Sequence, residues 1–181
     1  NDQVRFEVAA QGLGPHLQVV APLREWELTT RELEIEYALA RGIDVPVTKE
    51  KPYSIDETHW GCAIECGEME DLWTEPPSDV WRMTSDPESA PSDTRVITLG
   101  YERGIPVSLD GEKLSGVELI DRLNILAGSY GIGRIDMVEN RVVGLKSREV
   151  YEGPAAGLLH AALRVLERVV LDRPTSHYIA K

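Results

Sequence analysis

Gly131-Ile132-Gly133-Arg134-Ile135-Asp136-Met137-Val138-Glu139-Asn140-Arg141-Val142-Val143-Gly144-Leu145-Lys146-Ser147-Arg148-Glu149-Val150-Tyr151-Glu152 mixes charged and apolar side chains in near alternation. A period of two is the signature of a strand, whose side chains point to opposite faces in turn. The stretch therefore predicts two short strands flanking a turn at Glu139-Asn140-Arg141. Its charges fit equally a salt-bridged sheet surface and a set of groups that grips a polar ligand. Gly131-x-Gly133 lacks the longer glycine fingerprint of a nucleotide loop and points only weakly to one.

Helices are expected on both sides of these strands. Downstream, Pro154 suits the first turn of a helix, with Leu159, Leu163, Leu166 and Val170 on one stripe. Upstream, Ser115 and Glu118 form a capping box; Leu119, Ile120, Leu123 and Leu126 mark the buried face, and Gly128 closes the helix. Before it, 96–101 and 105–109 read as a hairpin around Arg103-Gly104, and Asp110-Gly111 turns the chain again. This part is α+β: a mixed or antiparallel sheet with covering helices.

The opening segment has a different rhythm. A helix is expected through Arg5–Ala10, with Asn1 and Asp2 as its cap and Gly12, Gly14 and Pro15 as its stop. Leu17–Pro22 reads as a short buried strand. Thr29 and Glu32 then offer a capping box for a helix with Leu33, Tyr37 and Ala40 on one face, ending at Gly42, and 43–47 reads as extended. Helix, strand, helix, strand is α/β layering. From Lys49 to Asp93 a looped stretch is expected, with Pro76–Ser92 read as a solvated linker.

Composition removes several function classes. The chain has 181 residues, 42% of them hydrophobic, enough for a core. Thirty-one acidic against nineteen basic residues give a net charge of −12, the wrong sign for a nucleic-acid surface. No apolar run reaches the ~20 residues of a membrane helix. His59, Cys62 and Cys66 supply three candidate zinc ligands without the paired spacing of structural zinc sites, and free thiols in a reducing cytoplasm are the simpler expectation.

Taken together, Asn1-Asp2-Gln3-Val4-Arg5-Phe6-Glu7, Pro52-Tyr53-Ser54-Ile55-Asp56, Gly131–Arg141 and Lys146–Glu152 resemble, in that order, motifs of the argininosuccinate synthases. The resemblance covers Asn1 to about Asp172. It implies that 1–47 is the C-terminal portion of an ATP-pyrophosphatase-like α/β nucleotide-binding domain, and 48–181 a synthetase domain truncated at its C-terminal end. It implies a ligase that condenses citrulline with aspartate through a citrullyl-adenylate, consuming ATP with Mg2+ and releasing AMP and pyrophosphate. Asn1, Arg5, Ser54, Glu139 and Tyr151 would hold citrulline; Asn1 and Asp2 would meet aspartate. Where the family places a further citrulline-contacting serine, this chain has Ala63. The Ser-Gly-Gly-x-Asp-Thr-Ser phosphate loop does not occur in the sequence, so no grip on ATP is expected from this chain alone, and a missing N-terminal half is expected to supply it. The family also implies a cytoplasmic homo-oligomer, a tetramer at full length. A non-catalytic amino-acid-binding or interaction module on the same fold is the alternative.

Overall fold

The computed structural model describes residues 2–45 and 53–180, except the side chains of Asp2 and Arg31. The chain divides into two compact units, Asn1–Tyr53 with Glu139–Ser147, and Ser54–Val138 with Arg148–Lys181.

The first unit contains α1 (Asp2–Leu13) and α2 (Arg31–Ala40). Thr30, not Thr29, caps α2: its backbone is extended and its hydroxyl accepts from the Leu33 N–H at 3.4 Å. Leucine stands where a capping box needs Glu or Gln, so the reciprocal bond is absent. Gly42, at φ 68°, ends the helix in the left-handed region, as its residue type suggests. The inward side centres on buried Ala38; Leu33 and Ala40 are exposed. Tyr37 meets Trp26 edge-on at 5.3 Å, and the Arg41 guanidinium lies over its ring at 3.4 Å.

Leu17–Pro22 forms no strand. Leu17, Val19 and Val20 are exposed, and a single 3-10 turn, Pro22–Arg24, follows. A β-propensity run becomes a strand only where a neighbour accepts its hydrogen bonds, and no strand pairs with it among the described residues. Residues 46–52, and with them the expected boundary at 47/48, lie outside the described residues.

The remaining elements are β1 (Tyr53–Glu57), β2 (Cys62–Cys66), β3 (Leu99–Glu102), β4 (Ile105–Leu109), β5 (Glu112–Lys113), α3 (Gly116–Ser129), β6 (Arg134–Asn140), β7 (Lys146–Glu152), α4 (Pro154–Val170) and α5 (Arg173–Ile179). One sheet has the order β1-β2-β7-β6, the other β3-β4-β5. The β2–β7 pair is antiparallel, with Cys62 opposite Glu152, Ala63 opposite Tyr151 and Ile64 opposite Val150. β3 and β4 pair antiparallel around Arg103-Gly104, at φ 51° and 81°, and Asp110-Gly111 makes the next turn at 51° and 85°. Two consecutive positive φ values are what a tight hairpin needs, which is why these dipeptides were legible.

α3 has the expected capping box. Ser115 Oγ accepts from the Glu118 N–H at 3.3 Å, and the Glu118 carboxylate accepts from the Ser115 N–H at 3.0 Å. The helix runs through Gly128 to Ser129; Gly131, at φ 69°, lies just past its end. Leu119 and Leu123 join Leu109, Ala155 and Leu159 in a core, with Ile120 and Leu158 packed against it. On α4, Leu159 is buried, Leu163 and Leu166 are half-buried and Val170 is exposed, so the apolar stripe turns outward only at its end. Gly133 answers the question left by Gly131-x-Gly133. It sits at φ 106°, and a Cβ there would fall 2.5 Å from Pro154 Cα, so the glycine serves close packing of β6 on the start of α4.

Candidate functional site

β7 is the strand on which the site is built, because its two faces have different occupants. Arg148, Val150 and Glu152 share one face and Glu149 and Tyr151 the other.

On the first face, Glu152 is 1% exposed and both of its carboxylate oxygens are engaged. They accept from the N–H groups of Arg82 at 2.7 Å, Met83 at 3.0 Å and Thr84 at 2.9 Å, and from the Thr84 hydroxyl at 2.6 Å. Arg134 continues the network, donating to Thr84 Oγ1 at 2.6 Å and to its carbonyl at 3.1 Å, while stacking over Trp81 at 4.4 Å. Beyond Val150 on the same face, Arg148 donates to the carbonyls of Leu72, at 3.2 Å, and of Thr74, and pairs through two nitrogens with Asp136 at 2.9 and 2.6 Å. That bidentate bond holds the Asp136 carboxyl below the usual range. A cation thus holds carbonyls of the segment after β2, and an anion holds its amides ten residues on. Val80 and Thr84 are buried, so the expected solvated linker is in part an anchored loop.

The second face borders an open cleft of about 760 Å³, whose lining includes Asp56, Ala63, Ile135, Met137 and Tyr151. Tyr151 donates its hydroxyl proton to Glu149 Oε2 at 2.5 Å, and Glu149 is 6% exposed. Ala63 stands directly across from Tyr151. Alternation along β1 puts Ser54 on the side of Asp56.

β6 and β7 are joined by only five residues, too few for a parallel crossover, so they form a hairpin. The turn is at 141–145, closed by bonds from the Arg141 N–H to the Leu145 carbonyl and from the Gly144 N–H to the Arg141 carbonyl, both 2.8 Å. Glu139 and Asn140, expected in the turn, are the last residues of β6. In the first unit the tip meets α1: Arg5 Nη2 donates to Glu139 Oε1 at 3.1 Å.

The candidate site residues therefore stand as follows. Arg5 and Glu139 are brought together within the first unit. Ser54, Ala63 and Tyr151 belong to the second, the latter two as a cross-strand pair. Asp2 opens α1, and Asn1 lies outside the described residues. Sequence reasoning passed over Glu149, Arg148 and Glu152. The available signal was period: two charges flanking buried Val150 on one strand face must be paired.

Of the three candidate zinc ligands, neither Cys62 nor Cys66 is in a disulfide. His59 lies 3.4 Å from Asp121 and 3.2 Å from the Val117 carbonyl. Cys62 is buried, and desolvation, then the nearby Glu152 charge, push its thiol up to about 11. Among the described residues no group of three or more His, Cys, Asp or Glu side chains is placed to hold a metal ion. No described helix is long and apolar enough to cross a membrane.

Comparison with known proteins gives these observations a class. Residues 1–44 match the model of the arginosuccinate synthase N-terminal HUP domain, and residues 53–181 that of the arginosuccinate synthase C-terminal domain. The helical opening and the antiparallel sheet with its covering helices thus match two successive domains of one class of synthase. The chain belongs to the argininosuccinate synthase family. It is 57% identical over 178 residues to the argininosuccinate synthase of Pelodictyon phaeoclathratiforme, and 54% identical to those of Chlorobium luteolum and Chlorobaculum tepidum. Each match covers 98% of this chain and 44% of the relative, so the chain spans less than half the length of these curated relatives.

Proposed function

We propose that this chain carries the citrulline and aspartate side of an ATP-dependent argininosuccinate synthase of arginine biosynthesis. In that reaction the ureido oxygen of citrulline attacks the α-phosphate of ATP and pyrophosphate leaves. The amine of aspartate then displaces AMP. A urea oxygen is a poor leaving group, and adenylylation makes it a good one; the protein's share is to align three polar ligands.

The observation that carries this function is the Arg5–Glu139 pair, held at 3.1 Å in the first unit. A guanidinium and a carboxylate that satisfy each other have the charges to satisfy a zwitterionic amino acid instead, Arg5 taking its carboxylate and Glu139 a donor group. By the family resemblance Ser54 and Tyr151 would also contact citrulline through their hydroxyls, and Asn1 with Asp2 would meet aspartate. Ala63 offers no hydroxyl, at a cost on the order of 1 kcal/mol in citrulline binding unless water substitutes.

The triphosphate of ATP would be held by the part of the relatives that this chain does not span. Mg2+ would travel with it, held in large part by the phosphates themselves. A cytoplasmic homo-oligomer is the assembly that accompanies this function.

Calorimetric titration with citrulline tests it. The chain is expected to bind, and Glu139→Ala to abolish binding. Supplying the ATP-binding half of a relative should then give pyrophosphate release that needs citrulline, aspartate and ATP. A folded chain that binds no citrulline would overturn the proposal.

A further inference from the structure

Trp73 is 95% exposed, which leaves almost its whole indole in water. The backbone that carries it is nonetheless held on both sides. Arg148 donates to the carbonyls of Leu72 and Thr74, and the Asp71 carboxylate accepts from the Trp73 N–H at 3.0 Å and from the Thr74 hydroxyl at 3.2 Å. A large ring on fixed backbone has little freedom left to lose on docking, and tryptophan is among the side chains enriched where interfaces draw most of their energy.

The neighbours of Trp73 define the charge of what it can meet. Glu68, Glu70, Asp71 and Glu75 are exposed on either side of it, and no Lys or Arg occurs from Ala63 to Trp81. A receiving surface must therefore be apolar and basic. α4 carries one. Val165 and Val169, 59% and 79% exposed, stand one turn apart, and exposed Arg164 and Arg168 form the stripe beside them. Among the described residues neither arginine makes an ion pair. Glu167, the single acid of α4, lies on neither stripe.

We infer that the Trp73 loop docks on α4 of a second copy of this chain, the ring against the partner's Val165 and Val169 and the loop's acids facing the partner's Arg164 and Arg168. Chains of net charge −12 repel one another at long range, so attraction between copies has to be local, between an acidic surface and a basic one. Each copy carries both surfaces, which allows the contact to be exchanged reciprocally about a two-fold axis. The contact requires no ligand.

Sedimentation velocity on the whole chain, from about 1 µM to 1 mM, tests this. Wild type should self-associate, and less so as added salt screens the charges. Trp73→Ala and Arg168→Glu should each weaken association at least about tenfold, with unchanged far-UV circular dichroism because both side chains are exposed. Val169→Asp is a second variant of the α4 face with the same expectation. Mixed in equal amounts, the Trp73→Ala and Arg168→Glu chains should associate again, below wild-type strength, because the intact Trp73 of one meets the intact α4 of the other. A wild-type chain that stays monomeric, association indifferent to salt, a Trp73→Ala chain that associates like wild type, or two variants that stay apart when mixed would each overturn the inference.

Discussion

Glu152 shows how a residue that reads as surface can hold a fold together. In the sequence it is one more acid at the end of an alternating strand. In the structure it accepts from three consecutive backbone N–H groups and a hydroxyl that lie 68 to 70 residues away. No local pattern encodes partners at that separation, which is why its role was not legible. Truncation to alanine would leave buried donors without an acceptor and Arg134 without its ordered neighbour. Glu152→Ala should therefore lower unfolding stability by about 3 kcal/mol or more, and Glu152→Gln, which keeps one acceptor oxygen, by less. Urea denaturation measures both, and a loss below about 0.5 kcal/mol for the alanine variant would place it with ordinary surface changes. Arg5 and Ser54 were legible as candidates through motif resemblance alone. Their placement, unlike their candidacy, needed the fold.

Elements were readable where their signals are local. α3 announces itself by Ser115 and Glu118 at its start and by leucines at helical spacing. Ser115→Ala removes the hydroxyl that accepts from the Glu118 N–H and should cost about 1 kcal/mol, seen as a lower thermal midpoint. An unchanged midpoint would mean that the adjoining β5 turn, not the cap, fixes the helix start. The strand expected at Leu17–Pro22 failed, and β1 and β2 went unseen inside a polar stretch, for the same reason. A strand is defined by its neighbours, and β2 lies between β1 and β7, the latter some ninety residues on. α5 also escaped, although Asp172 caps it by accepting from the Thr175 N–H at 2.8 Å. Its seven residues are too few for periodicity to show.

At the scale of the whole molecule, the net charge of −12 and the pairing of particular carboxylates act in opposite directions on acidification. Neutralising free acids relieves self-repulsion. Asp136, Glu112 and Glu118, in contrast, are held below their ordinary values, Asp136 by Arg148, Glu112 by Arg122 and Glu118 by Ser115. A carboxyl whose pKa is lower in the folded state binds fewer protons there. Its contribution is complete above the unfolded value and is lost as pH falls through the folded one. The thermal midpoint should thus hold above about pH 5 and fall below about pH 4. Arg148→Gln should remove the share that belongs to Asp136, flattening the acid limb of a midpoint-against-pH series; an identical limb would assign the loss to other carboxyls. Net charge was visible in composition. That the 139–147 tip groups with the first fifty residues was not, since Arg5 and Glu139 are 134 positions apart.

The thiol of Cys62 has a use that follows from where β2 lies. It is 3% exposed, sits opposite Glu152, and has a pKa pushed up to about 11. Alkylating reagents attack the thiolate, so in the closed sheet this sulfur is both hidden and nearly all protonated at neutral pH. Half-buried Cys66, four residues on, gives an internal comparison. Labelling at Cys62 then keeps time on the parting of β2 from β7. With reagent in the slow-labelling regime, its rate relative to an unfolded peptide reports the free energy of that opening, without denaturant and without any added probe.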